Sequence, residues 1–171
     1  MSMRETDETM PREACVEDVR RMARRTALLY HTFVTTLVDQ LGEEQARALT
    51  SEAIRRYGEH IGNAVRQRVQ ETGLSNEPEN FSKYDDLPSV GWEGTEVETE
   101  HGPRLRVTYC PLAATWQELG SEDWGRLYCH VDQAKYRAFN PRAVLVHTRN
   151  VLDGDPYCEF DLQLEDESDA G

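Results

Sequence analysis

The sequence predicts an α+β domain, and three observations predict it. Two long stretches of helical apolar spacing occupy the N-terminal half, two alternating strand pairs follow, and short helical stretches separate those pairs. Strands grouped into hairpins, rather than alternating singly with helices, favour antiparallel pairing over a parallel βαβ sheet.

Residues 1–12 are charged and read as a mobile leader. Cys15, Val19, Met22, Ala23, Thr26, Leu29, Tyr30, Phe33, Leu37 and Val38 then recur at steps of three and four, so a first helix is expected up to Gly42. A second runs from Glu43 to about residue 72, carrying Ala46, Leu49, Ala53, Ile54, Tyr57, Ile61, Val65 and Val69, and Gly73 stops it. Gly58 and Gly62 lie inside this helix, where each glycine costs about 1 kcal/mol against alanine. Compensation comes either from close helix packing or from room for a ligand beside Tyr57 or His60.

Residues 74–92 have no clean period and read as a long surface loop, a segment length often used for lids. Residues 95–100 and 104–109 flank His101-Gly102-Pro103 as a hairpin, with Leu105, Val107 and Tyr109 expected on its buried face. Pro111 starts a short helix to about residue 119, because proline suits the first helical turn. Ser121 caps another helix running to about residue 137. Residues 143–149 and 157–164 form the second strand pair around Asp153-Gly154-Asp155-Pro156, and residues 165–171 form an acidic tail. One domain over residues 13–164 follows from the length.

A net charge of −13 argues against nucleic acid and anionic membrane as partners, since both require a basic footprint. A small-molecule substrate is the expected partner, and a homo-oligomer is compatible with the composition. No apolar run reaches the roughly 18 residues of a membrane span, so a cytoplasmic protein is expected. The four cysteines then read as reduced thiols. They form no C-x-x-C pair and match no zinc-ribbon spacing.

Three of those thiols carry the candidate chemistry. Cys110 ends a strand and precedes Pro111, so it occupies a helix N-terminus, where the helix dipole and unpaired N–H groups favour thiolate; an unusually acidic thiol is expected, against the alternative of a packed strand end. Cys129 and Asp132 are three apart on one helix and share a face with Gln133 and Tyr136. His130 points about 100° away and reads as exposed. Cys158 is in phase with Phe160, Leu162 and Leu164 and faces inward, with His147 on the partner strand near it. Convergence of these side chains allows two chemistries. A cysteine attacks an electrophilic carbon while a neighbour handles protons, or thiolates and imidazole hold an ion. The cofactor is accordingly none, or a zinc-like divalent ion on Cys110, Cys129, Cys158 and His147.

Several motifs occur in one order: Tyr57-Gly58-x-x-x-Gly62, Cys110-Pro111-Leu112-Ala113-Ala114-Thr115-Trp116-x-Glu118-Leu119-Gly120, Tyr128-Cys129-x-x-Asp132, Phe139-Asn140-Pro141 and Gly154-Asp155-x-x-Cys158-x-Phe160. Together they resemble the L-2-amino-thiazoline-4-carboxylic acid hydrolase family over about residues 57–164. The closing motif and its strands are also similar to four-vinyl-reductase-type small-ligand domains, which gives a second reading as a non-catalytic ligand or metal sensor. The family resemblance implies hydrolytic opening of a cyclic amidine, with water added at the ring carbon and the C–S bond broken to give an N-carbamoyl cysteine. The formal class is a hydrolase of non-peptide C–N bonds. It implies catalytic roles for Cys110, Cys129, Asp132 and Cys158, and substrate contacts at Tyr57 and Trp116, to which strand geometry adds His147. The substrate carboxylate needs a local arginine on this acidic chain, with Arg104, Arg106 and Arg149 as candidates.

Overall fold

The computed structural model describes residues 10–84, 87–100 and 102–165. The expected leader and acidic tail fall almost wholly outside them. Helices α1 (Arg12–Leu41) and α2 (Glu43–Glu71) form an N-terminal pair. The hairpin β1 (Glu93–Thr99) and β2 (Gly102–Tyr109) follows, then α3 (Pro111–Glu118), α4 (Glu122–Tyr128) and α5 (His130–Phe139), and finally β3 (Ala143–Arg149) and β4 (Cys158–Leu164). The architecture is α+β.

Both hairpins join one antiparallel sheet of order β1-β2-β4-β3. The junction is narrow: Arg106 faces Glu159 and Val107 faces Cys158. It places Cys158 at the sheet centre, and Cys158 is buried at 7% exposure, while Leu162 and Leu164 further along the same face are exposed. The inward reading of β4 therefore holds only for its first residues, where helices cover the sheet. Leu105 departs in the same way, being exposed on β2.

Gly42 turns the chain between α1 and α2 at a φ of 82°, a region open to glycine. The close-packing reading of the α2 glycines is the one realised. A methyl group on Gly58 would come within 2.6 Å of Ala134 Cβ and 2.7 Å of Val131 O, so α2 lies backbone to backbone on α5.

Two expectations need correction. Within residues 74–92 the chain makes a 3-10 helix, Pro78–Tyr84, and its Phe81 is 1% exposed. Phe81 stacks on Tyr136 at 4.3 Å between ring centroids and meets Phe139 edge-on at 5.2 Å. Burial of such a ring contributes about 1.5–3 kcal/mol, so this segment is anchored in the core. The single helix expected from Ser121 is instead two, α4 and α5, broken at Cys129. There the chain tightens, with Asp132 N–H donating to Cys129 O at 3.3 Å across three residues. Ser121 holds the N-cap position, but its hydroxyl contacts His31 Nδ1 at 3.0 Å instead of capping.

Candidate active site

The first cluster of functional side chains is built on the N-terminus of α3. Pro111 supplies a preset φ in the first turn, and Cys110 is the N-cap, as its position before proline implies. Cys110 and Cys129 pack against one core cluster, made by Ala27, Ala113, Trp116 and Leu152, together with Val151. Cys158 joins them through Val151, whose N–H donates to its Sγ at 3.5 Å. Folding therefore gathers the three C-terminal thiols around the 3-10 turn Val151–Asp153. Asn150 caps that turn, its Oδ1 accepting the Leu152 N–H at 3.0 Å.

The second cluster is built on the first turn of α5. Asp132 reaches Lys135 Nζ at 2.9 Å through Oδ1 and His147 Nε2 at 3.6 Å through Oδ2. His147 comes from β3; its side chain is 2% exposed, it lies against the Phe160 ring, and its Nδ1 is buried without a hydrogen-bond partner. Burial pushes the Asp132 carboxyl up, but the Lys135 ammonium and the His147 contact outweigh it and hold the carboxyl below its ordinary value. Asp132 is thus a carboxylate at neutral pH, at a helix start where the dipole also favours charge.

The thiols respond in the opposite sense. Burial raises Cys110; the backbone N–H groups of Ala113 and Leu112, and Trp92, oppose it without prevailing. Burial likewise pushes Cys129 up to about 12, against the Asn150 amide, and raises Cys158 against the Val151 N–H. The Asp132 charge adds to the rise at all three. The expected acidic Cys110 is therefore corrected: desolvation exceeds the stabilisation offered by a helix N-terminus. Resting thiols here are neutral, and a nucleophile requires a base.

Other expected site residues fall elsewhere. Trp116 is a core residue at 1% exposure, its indole N–H donating to Ala27 O at 3.1 Å. Tyr57 lies on the outer side of α2, 47% exposed, its ring 6.4 Å from that of Tyr128. Trp116 borders Cys110 and Cys129 from within the core cluster, whereas Tyr57 approaches that cluster only through the Tyr128 ring. The ligand set Cys110, Cys129, Cys158 and His147 is not assembled: among the described residues no three His, Cys, Asp or Glu side chains are grouped to hold a metal ion. The reason is local, since the sulfurs face the turn after Asn150 while His147 turns towards Asp132 and Phe160. His130 is exposed, as its helical phase implies. It lines a separate surface pocket of about 570 Å³ with Arg55, Arg137 and Val146, away from the thiols.

Residues 20–162 match the family described as L-2-amino-thiazoline-4-carboxylic acid hydrolase. The chain belongs to that family. No curated protein and no solved structure matches it. The matched span of this hydrolase family contains both clusters, including Cys110, Cys129, Asp132, His147 and Cys158. No helix among the described residues is long and apolar enough to cross a membrane.

Sequence reasoning missed Lys135, Asn150 and Arg126. Lys135 was within reach of it, being three residues after Asp132 on the same helix and one of only two lysines, with Lys83. Asn150 and Arg126 carry no such signal, because their partners come from the tertiary fold.

Proposed function

We propose that the chain is a cysteine-dependent hydrolase of a small cyclic amidine of the 2-amino-thiazoline-4-carboxylate type. The observation that carries this reading is the Asp132–His147 pair beside three gathered thiols, inside the span that matches the hydrolase family. With His147 Nε2–H turned to Asp132, Nδ1 presents a lone pair, and the carboxylate stabilises the imidazolium that forms when it takes a proton. Cys110 is the nucleophile in this reading. Its sulfur faces the N–H groups of Leu112 and Ala113, which favour the thiolate once the proton has left.

Cys110 Sγ bonds to the ring carbon between the two nitrogens and the sulfur, and its proton passes to the Asp132–His147 pair, whose carboxylate is the member that acts on this thiol. The tetrahedral intermediate collapses by breaking the ring C–S bond, and the departing sulfur takes that proton. Water then displaces Cys110, giving the urea of N-carbamoyl cysteine and restoring the thiol. Cys129 and Cys158 shape the low-polarity wall of the site. Asp132 and Arg126, with side chains 26% and 25% exposed, form its edge towards solvent.

The test is ring opening by purified Cys110→Ala and Asp132→Asn variants. Loss of an acid–base or nucleophilic group typically costs about 10²–10⁴-fold, and a drop of that size in each variant with unchanged folding is the expected result. Full activity in both would remove the proposed roles. Absent turnover in the unaltered protein, with a bound small molecule retained, would favour the ligand-sensing alternative.

A further inference from the structure

On an acidic chain of net charge −13, an anionic ligand needs a local cation with a donor left over after its protein carboxylate has been met. The three arginines expected to serve are all engaged. Arg104 meets Asp161 at 3.0 Å, Arg106 meets Glu159 at 2.7 Å, and Arg149 meets Asp155 at 3.1 Å. Arg126 differs. Its Nε donates to Asp153 Oδ2 at 2.8 Å, while its Nη1 is buried and has no hydrogen-bond partner.

A second donor with a weak acceptor sits beside it, at the cap of the turn Val151–Asp153. Asn150 is 1% exposed; its Oδ1 accepts from Leu152 N–H and its backbone N–H donates to Asp155 Oδ2 at 2.9 Å, yet its buried Nδ2 has only the weak acceptor of the Cys129 thiol before it. Arg126 is pinned to Asp153 and Asn150 caps the turn Val151–Asp153, so a single short segment fixes both groups. The same turn donates to Cys158 and packs Cys110 and Cys129. Leaving a buried donor unmade costs about 1–3 kcal/mol, and an arginine arm without an acceptor next to an amide that meets only a thiol would both gain from a two-oxygen acceptor.

We propose that Arg126 Nη1 and Asn150 Nδ2 form the seat for the carboxylate of the ligand, so that the site selects small five-membered-ring acids over their uncharged counterparts. This inference rests on the hydrolase reading for the location of the ring, but it is tested without turnover. Arg126 is a specificity-determining residue here and takes no part in bond making. A guanidinium fork already oriented by Asp153 suits a carboxylate, and the ring attached to that carboxylate is then delivered towards the thiols.

The experiment measures binding of thiazolidine-4-carboxylate by calorimetry, alongside thiazolidine itself. The acid keeps the ring sulfur and the carboxylate but has no amidine carbon to hydrolyse. The unaltered protein is expected to bind the acid at least about tenfold more tightly than the uncharged ring, and Arg126→Gln and Asn150→Ala to lose that preference. Asp153→Asn removes the same ion pair while keeping the guanidinium, and should retain the preference, which separates loss of the seat from loss of the turn. Arg149→Gln should also retain it. Equal binding of acid and uncharged ring, no binding of either, or unchanged preference in Arg126→Gln would overturn the proposal. Binding that follows this pattern in a protein without ring-opening activity would support the seat and count against the hydrolase reading alone.

Discussion

At the scale of single residues, the decisive competition is between burial and nearby charge. Asp132 and the three thiols occupy the same region, yet their acidities move apart: the carboxyl goes down because Lys135 and His147 face it, and the thiols go up because desolvation exceeds what the backbone N–H groups, the Asn150 amide and, at Cys158, the Arg126 charge set against it. Separated acidities of this kind accompany acid–base division of labour. A direct consequence concerns alkylation. With a neutral reagent, Cys110, Cys129 and Cys158 should react slowly at pH 7 and accelerate only above about pH 9, as followed by peptide mapping. Rapid labelling of Cys110 at pH 7 would show that the helix N-terminus prevails over burial after all. The sequence revealed Cys110 at a helix start and Asp132 one turn from Cys129, because both depend on local spacing. It could not reveal that Cys110 is desolvated, since that depends on Ala27 and Leu152, brought from two distant parts of the chain to join Trp116 of the same helix.

At the scale of elements, α2 and α5 form the most extensive contact between helices, and glycine makes it possible. Gly58 sits under Ala134 and Val131 O, and Gly62 under Lys135 O and Ala138 Cβ. Substituting Gly58 by alanine would gain intrinsic helix propensity of about 1 kcal/mol, but it forces a methyl against backbone. Overpacking typically costs about 1–3 kcal/mol, so Gly58→Ala should lower the denaturation midpoint, measured in urea. An unchanged or raised midpoint would mean that α5 shifts freely. The glycine pair was readable as either packing or a ligand cleft, and only the position of α5 decides between them. Helix starts, the β-hairpins and their approximate ends were legible from apolar period and turn chemistry. The break at Cys129 was not, because no glycine or proline marks it.

At the scale of the whole molecule, the same shifts bound stability on both sides. Asp132, depressed by Lys135 and His147 against its burial, and Glu159, depressed by Arg106, have folded values below their unfolded ones. Their contribution is present above the ordinary carboxylate range and is lost as pH falls through the folded values. The thiols are raised, so their contribution is complete below about pH 9 and declines as pH climbs towards the folded values, about 12 for Cys129. Urea midpoints should therefore be flat over about pH 5–8 and fall on either side, and Cys129→Ser should shrink the alkaline decline. An alkaline decline of the same size in Cys129→Ser would break the link to that thiol. The contact between β2 and β4 carries one more consequence. Val107 meets Cys158 across half a hundred intervening residues, and only two residue pairs lie in ladder register along the seam, with the Arg104–Asp161 ion pair beyond them. Non-local pairings that reward loop closure so sparsely form late. During synthesis, then, the chain has its helices and first hairpin well before Cys158 joins the other two thiols, and a nascent protein that has not yet emerged through β4 lacks that third sulfur at the turn.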